Sequence, residues 1–241
     1  MVFDDDMQDR GMTRPMVPMP PMSTPPTMTP PTSVPPADDG SDDDTQKNMI
    51  GSAGDDTLSG DDKGDVILAQ GGNDSVVGGA DHDAINGMAG DDTADGGGGD
   101  DLVLGGKGDD VLNGGVGDDV MNGNIGNDTV AGDAGNDQIH GGQGNDSLSG
   151  GDGDDWLSGD RGNDTMTGGP GADTFNVFAG GGNDVVTDFN AAEGDKVHIE
   201  GDVPFTVAQV GADVVVTLAG HETLTLQHVM LSSLTDGWIT H

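Results

Sequence analysis

The sequence predicts an all-β fold, a solenoid of short strands stacked as coils, and three observations lead to that prediction. Aspartate recurs at every ninth residue across fourteen successive frames, which tile residues 51–176 without a gap. Each frame has an apolar residue two positions after its aspartate, and glycine occupies position 1 in thirteen frames, position 4 in twelve and position 2 in seven. A short, unbroken period of this kind is typical of repeat architectures. The position-6 aspartates are Asp56, Asp65, Asp74, Asp83, Asp92, Asp101, Asp110, Asp119, Asp128, Asp137, Asp146, Asp155, Asp164 and Asp173.

Residues 1–50 differ in composition from the rest of the chain and are predicted to be a disordered stalk rich in Pro, Met and Thr. Ten of the twelve prolines lie here, and from Pro20 onward proline pairs recur every five residues. Such a segment favours an extended, partly polyproline II conformation. A ligand for proline-recognition domains is the alternative, but the basic flank usual for such ligands is absent.

Each nine-residue frame indicates a six-residue turn followed by a three-residue strand. Side chains alternate between the two faces of a strand, so position 8 points inward while positions 7 and 9 point outward. Two frames are needed to close one coil, which gives coils of eighteen residues and about seven coils in residues 51–176. The inward column is apolar throughout: Leu58, Ile67, Val76, Ile85, Ala94, Val103, Leu112, Met121, Val130, Ile139, Leu148, Leu157, Met166 and Phe175.

After residue 176 the nine-residue frame breaks, and residues 177–241 are predicted to form a small β cap. The alternation in Thr223-Leu224-Thr225-Leu226 marks a half-buried strand. Solenoids need a cap to end the stack of coils.

The charge of the chain restricts its partners. A formal net charge of −38 excludes nucleic acid and disfavours anionic membrane surfaces. No apolar run is long enough to span a membrane, and no N-terminal signal peptide is recognisable. The acid is almost all aspartate, since the only glutamates are Glu193, Glu200 and Glu222. A short carboxylate beside glycines is what an oxygen-lined ion site selects, so a cation is the predicted partner.

The stacked frames would place the position-6 aspartates in columns, one coil every roughly 4.8 Å. Two bare carboxylates at that separation repel by about 3 kcal/mol at an effective dielectric near ~20. Folding is therefore expected to depend on bound metal. Oxygen ligands and the absence of cysteine favour calcium over zinc, and a flexible cage favours it over magnesium. The gaps between coils allow at most about twelve ions.

No catalytic constellation stands out, and the chain is predicted not to be an enzyme. His221-Glu222 lacks the second histidine of a zinc-protease helix, and no Gly-x-Ser-x-Gly elbow occurs. The six histidines are dispersed along the sequence.

The frame resembles the Gly-Gly-x-Gly-x-Asp-x-apolar-x signature of RTX (repeat-in-toxin) calcium-binding proteins, and Gly168 to Ile199 resembles the C-terminal module of serralysin-type members. The resemblance implies a parallel β-roll, with calcium held by the position-6 aspartates and turn carbonyls. It also implies export by a type I secretion apparatus, which makes the protein extracellular, and folding only outside the calcium-poor cell. Asp184 and Asp188, which follow the repeats, become two further expected ligands. Enzymes of this family carry their catalytic domain before the repeats, where this chain has the stalk.

Three departures from the signature fall in the first coils. Lys63-Gly64 replaces glycine followed by a polar residue, Ala69 replaces the opening glycine of the third frame, and Asp81 stands at position 4 of the fourth. The N-terminal coils are therefore expected to be the least secure calcium sites.

The two outward faces differ in polarity. One carries mostly Thr and Ser at position 7, whereas the other carries an apolar strip that predicts contact with the cap, a second copy or another protein. A secreted, non-enzymatic calcium-binding protein is the leading interpretation. The alternatives are a secretion and folding module for an enzyme or adhesin on another chain, and a self-assembling matrix or surface protein.

The apolar strip on the less polar of the two outward faces consists of Val66, Leu68, Leu102, Leu104, Val120 and Trp156.

Overall fold

The computed structural model describes residues 47–234 and 236–241. The predicted stalk lies outside these residues apart from its last four, of which Asn48–Ile50 form a strand. The described chain is a parallel β-solenoid of about eight turns, which confirms the predicted all-β roll. The helical structure within the described ranges is a single 3₁₀ turn, Leu231–Ser233, and no helix there is long and apolar enough to cross a membrane.

Two sheets enclose the core of the solenoid. The first sheet has ten strands, all parallel, in the order β1 (Asn48–Ile50), β3 (Val66–Leu68), β5 (Ala84–Ala89), β7 (Leu102–Lys107), β9 (Val120–Ile125), β11 (Gln138–Gln143), β13 (Trp156–Arg161), β15 (Thr174–Val177), β17 (Lys196–Ile199) and β21 (Ile239–Thr240). The second sheet has eleven strands, in the order β2 (Thr57–Ser59), β4 (Ser75–Gly79), β6 (Thr93–Gly98), β8 (Val111–Val116), β10 (Thr129–Ala134), β12 (Ser147–Asp152), β14 (Thr165–Thr167), β16 (Asn183–Val186), β20 (Thr223–Leu226), β19 (Asp213–Leu218) and β18 (Phe205–Val210).

Strand register follows the predicted eighteen-residue coil. Val66 pairs with Ala84 in the first sheet, and Thr57 pairs with Ser75 in the second. Beyond the last frame the interval lengthens, since Thr174 pairs with Lys196, yet the pairing stays parallel. Within the described residues, antiparallel pairing is confined to the three-strand meander formed by β18, β19 and β20. The roll therefore continues into the cap before the meander covers its end.

The position-8 side chains fill the interior, as the alternation of strand faces predicts. Thirteen of the fourteen are at most 2% exposed, and Leu58, at the N-terminal end, is half-buried. In the cap the core becomes aromatic, because the Phe189 ring lies 6.1 Å from the rings of both Phe175 and Trp238. The turns that connect the two sheets lie at the edges of the coils, outside this narrow core, and they contain the aspartates.

The apolar strip on the first sheet is less accessible than its sequence pattern suggested. Leu104 is 5% exposed, and the other five members are half-buried. The Trp156 ring lies against that of His198 in the cap, with ring centroids 5.4 Å apart and ring planes inclined by 51°. The strip therefore offers little exposed apolar surface.

Candidate metal centre

The turns of successive coils stack into two columns of aspartates, one along each edge of the solenoid. The Asp56 column precedes the strands of the second sheet and contains Asp56, Asp74, Asp92, Asp110, Asp128, Asp146 and Asp164. The Asp65 column precedes the strands of the first sheet and contains Asp65, Asp83, Asp101, Asp119, Asp137, Asp155 and Asp173. The structure thus brings all fourteen predicted position-6 residues into line.

In every column aspartate after Asp56, one carboxylate oxygen accepts a backbone N–H from the preceding coil. Asp92 Oδ1 accepts the Asp74 N–H at 2.8 Å, and Asp101 Oδ1 accepts the Asp83 N–H at 2.7 Å. Each carboxylate therefore links two coils and is held at a fixed orientation.

The second carboxylate oxygen has no hydrogen-bond partner in twelve of the fourteen. These Oδ2 atoms are fully buried, in residues that are at most 4% exposed. A buried, unpaired carboxylate oxygen is costly in a folded protein, so a whole series of them indicates a cationic partner. The twelve belong to Asp74, Asp83, Asp92, Asp101, Asp110, Asp119, Asp128, Asp137, Asp146, Asp155, Asp164 and Asp173.

The first aspartate of each column differs from the twelve. Asp56 Oδ2 accepts the Ser52 N–H, and Asp65 Oδ2 accepts the Asp61 N–H at 3.0 Å. In these two frames a backbone N–H group occupies the position next to Oδ2, whereas the twelve later frames have no donor there. Asp56 and Asp65 are therefore weaker calcium-ligand candidates than the twelve.

Beyond the repeats, Asp184 and Asp195 extend the columns. Asp184 Oδ1 accepts the Asp164 N–H, and Asp195 Oδ1 accepts the Asp173 N–H, each at 3.1 Å. Asp195 Oδ2 also accepts the Asn190 N–H at 2.8 Å. Sequence reasoning missed Asp195, although Asp195-Lys196-Val197 repeats the spacing of a position-6 aspartate and its inward apolar residue.

Asp188 lies at the C-terminal end of the repeats but outside the columns. Its Oδ1 accepts the Gly168 N–H at 3.0 Å, and its Oδ2 accepts the Gly169 N–H at 2.9 Å. Both oxygens are thus engaged with backbone donors, which fixes the last glycine turn and makes Asp188 a weaker ligand candidate than the twelve.

A glycine at position 1 keeps open the space beside eleven of the twelve orphaned oxygens. A Cβ at Gly78 would overlap Asp83 Oδ2 and the carbonyl oxygen of Gly96 in the next coil. The same holds at Gly96, where a Cβ would overlap Asp101 Oδ2 and the Gly114 carbonyl oxygen. Carboxylate and carbonyl oxygens therefore line one cradle, and they are the ligands that calcium prefers.

Burial changes the acidity of the column carboxylates. Desolvation is the main cause that raises the pKa, and repulsion between neighbouring carboxylates adds to it, while the backbone hydrogen bond on Oδ1 lowers it only in part. The pKa is raised to about 7 for Asp101, Asp110, Asp137, Asp146 and Asp173, to about 6 for Asp83, Asp119 and Asp128, and also upward for Asp92, Asp155, Asp164, Asp184 and Asp195.

A second ladder, absent from the sequence interpretation, runs along the outside of the turns through position 5. Asp91 Oδ1 accepts the Asp109 N–H at 2.9 Å, and Asp109 Oδ1 accepts the Asn127 N–H at 2.7 Å. Its hydrogen bonds run in the opposite chain direction to those of position 6. The recurrence of Asp or Asn at position 5 was the signal for it. These side chains are exposed and hold adjacent turns in register.

The cradle suits a hard cation that takes mixed oxygen ligands. Within residues 47–234 and 236–241, no three carboxylate or imidazole side chains converge on one point, and the chain has no cysteine. A cation in the cradle would therefore need backbone carbonyl oxygens or water beside the carboxylate oxygens. That composition fits calcium, which accepts six to eight oxygens in irregular geometry, and disfavours zinc.

Comparison with known proteins agrees with this site. The sequence signature of the RTX calcium-binding nonapeptide repeat (four copies) matches residues 50–85, 78–112, 104–139, 113–148, 140–175 and 149–186. No curated protein matches the sequence.

Solved structures with a similar fold include the extracellular lipase LipA from Serratia marcescens, at 22% identity and a TM-score of 0.29 over 73% of this chain and 39% of the lipase. They also include the AlgE6R3 and AlgE6R2 subunits of an Azotobacter vinelandii mannuronan C5-epimerase, both at 24% identity. The AlgE6R3 match has a TM-score of 0.35 and covers 55% of this chain and 78% of that subunit, and the AlgE6R2 match has a TM-score of 0.34 and covers 56% and 89%.

The matched segments run without a gap from residue 50 to residue 186, which is more than half of the chain, and they coincide with the two columns. The chain belongs to the family of RTX calcium-binding nonapeptide repeat proteins.

Proposed function

We propose that this chain is a secreted, non-enzymatic protein that binds calcium along both columns and folds when it does so outside the cell. The observation that supports this most strongly is the set of twelve buried Oδ2 atoms without a partner. All twelve residues, Asp74 to Asp173, fall within the RTX repeats, and eleven of the twelve Oδ2 atoms lie beside a position-1 glycine. These twelve aspartates are the candidate calcium ligands.

Electrostatics explains why calcium would control folding. At neutral pH the unfolded chain carries ionised aspartates in water, whereas the calcium-free fold would bury them in rows. Twelve divalent ions would reduce the formal net charge from −38 to about −14. The ions would also bridge neighbouring coils, so binding free energy becomes folding free energy.

The family supports a location outside the cell. RTX repeats are typical of extracellular proteins exported by type I secretion. A chain kept unfolded by low cytosolic calcium would be suited to such export. The type I apparatus is therefore the proposed second partner.

A module that serves an enzyme or adhesin on another chain is the main alternative. Self-assembly through the apolar strip is less favoured, because Leu104 is buried and Trp156 already lies against His198. Co-purification of an enzymatic or adhesive partner with the calcium-loaded chain would favour the module over the independent protein.

Far-ultraviolet circular dichroism during a calcium titration tests the proposal. We expect little β signal in EGTA, a cooperative gain as calcium is added and a return to the starting spectrum when calcium is chelated. Magnesium is the control, and it should be much less effective because it requires a tight octahedral site and retains its waters. A full β spectrum without calcium would contradict the proposal.

A further inference from the structure

Glycine occupies position 1 in thirteen of the fourteen frames, and its role there is to leave space. None of these thirteen glycines has the left-handed backbone that would by itself select glycine. A Cβ at any of them would meet Oδ2 of the aspartate in the same frame. The requirement at position 1 is therefore steric, and it concerns the oxygen that faces the cation.

Ala69 is the one exception. Its N–H donates to the Asn86 carbonyl at 2.9 Å, just as the Gly51 N–H donates to Leu68 and the Gly60 N–H to Val77, each at 2.8 Å. Ala69 thus occupies the same place in its coil as the glycines do in theirs. Its methyl group is fully enclosed, since the residue is 0% exposed.

The aspartate of that frame is Asp74, the first member of its column with an orphaned oxygen. Asp74 is 3% exposed and its Oδ2 has no partner. Whereas the other eleven orphaned oxygens each lie beside a position-1 glycine, the equivalent place in the Asp74 frame carries the Ala69 methyl group. A methyl group cannot coordinate a cation, and it takes up space that an ion with six to eight oxygen ligands needs.

We propose that the Ala69 methyl group closes the cation position of Asp74, so that the two columns hold unequal numbers of ions. The inference rests on the proposed calcium function and refines it. The Asp65 column keeps six positions, Asp83 to Asp173, and the Asp56 column keeps five, Asp92 to Asp164. The N-terminal coil of the Asp56 column is then held by hydrogen bonds, including that from Ser52 N–H to Asp56 Oδ2, rather than by an ion.

Counting ions on the intact chain by native mass spectrometry tests this. The wild type should bind eleven calcium ions, one fewer than its twelve orphaned oxygens. Ala69→Gly opens the closed position and should bind one more ion than the wild type. Gly105→Ala places a methyl group against Asp110 Oδ2, one of the open positions in the same column, and should bind one fewer.

Ala53→Gly is the matched control, because it makes the same change at an exposed residue of the first coil and should leave the count unchanged. If Ala69→Gly binds no more calcium than the wild type, the inference is overturned while the calcium function stands. A wild type that retains no calcium overturns both. The Ala69→Gly comparison remains decisive even if Gly105→Ala fails to fold.

Discussion

Replacing Asp110 with asparagine is expected to stabilise the calcium-free fold and to destabilise the calcium-loaded one. Asparagine keeps an acceptor for the Asp92 N–H, which Asp110 Oδ1 now accepts at 2.8 Å. It removes the charge and the second carboxylate oxygen, whose Oδ2 is buried without a partner. One substitution therefore separates the destabilisation caused by the buried charge from the stabilisation that the bound calcium ion provides.

The two magnitudes follow from the site. Burial, helped by repulsion from Asp128 and Asp92, raises the pKa of Asp110 from 3.8 to about 7. Above that pH the charge destabilises the calcium-free fold by about 4 kcal/mol, which Asp110→Asn removes. With calcium at about ten-thousandfold its dissociation constant, the loss of one ion costs about 5.5 kcal/mol, which exceeds the roughly 4 kcal/mol regained by removing the charge, so the calcium-loaded fold loses about 1 to 2 kcal/mol.

Urea unfolding followed by circular dichroism measures both effects, in saturating calcium and in EGTA with sucrose added to populate the fold. Asp109→Asn is the matched control, because it removes one exposed charge from the adjacent residue and keeps the Oδ1 acceptor for the Asn127 N–H. Its effect should stay within about 0.5 kcal/mol. If Asp110→Asn shifted stability in the same direction with and without calcium, the reasoning would be refuted.

Three further predictions follow from the same geometry. The calcium-free fold raises the pKa of its column carboxylates and therefore binds more protons than the unfolded chain. The folded fraction in EGTA should thus be largest at about pH 4 and fall as the pH rises through about 6 to 7. A β-sheet ellipticity that instead grew with pH would contradict this. Gly108→Ala should lower the urea midpoint in calcium more than Gly180→Ala does. Both glycines have positive φ, a conformation that costs alanine roughly 1–2 kcal/mol, but only the Gly108 methyl group would also overlap the Gly90 carbonyl. Equal losses of stability would argue against close stacking of the turns. Asp195→Ala should lower the free energy of unfolding by about 2 kcal/mol or more in the same assay, because the Asp173 and Asn190 N–H groups lose their acceptor. Asp202→Ala, at an exposed residue, is the control and should be nearly neutral. An equally neutral Asp195→Ala would show that Asp195 does not belong to the column.

The sequence was sufficient to predict the roll because its period determines both register and facing. A strand shifted by one residue would expose Ile85 and bury its neighbours, so the apolar residue at position 8 fixes the pairing. The same period aligns Asp92 with Asp110. The eighteen-residue coil and the two columns follow directly from that alignment, and both are present in the structure.

What the sequence did not predict depends on contacts that the period does not encode. The intervals of twenty and twenty-two residues after the last frames removed Asp195 from the nine-residue count, although it occupies the same structural position. The antiparallel hairpin of β18 and β19 has ordinary alternation, which does not specify its partner strand. The N–H partners of Asp188, Asp56 and Asp65 became visible only once the turns were placed.

A crystal structure of the calcium-loaded protein, with calcium located by its anomalous scattering, tests most directly whether the orphaned oxygens hold the ions. We expect anomalous peaks about 2.3–2.6 Å from the Oδ2 atoms of Asp83 to Asp173 in one column and Asp92 to Asp164 in the other. No peak is expected beside Asp56 or Asp65, whose Oδ2 atoms accept backbone N–H groups. A folded roll whose column Oδ2 atoms had no calcium beside them would contradict the central claim.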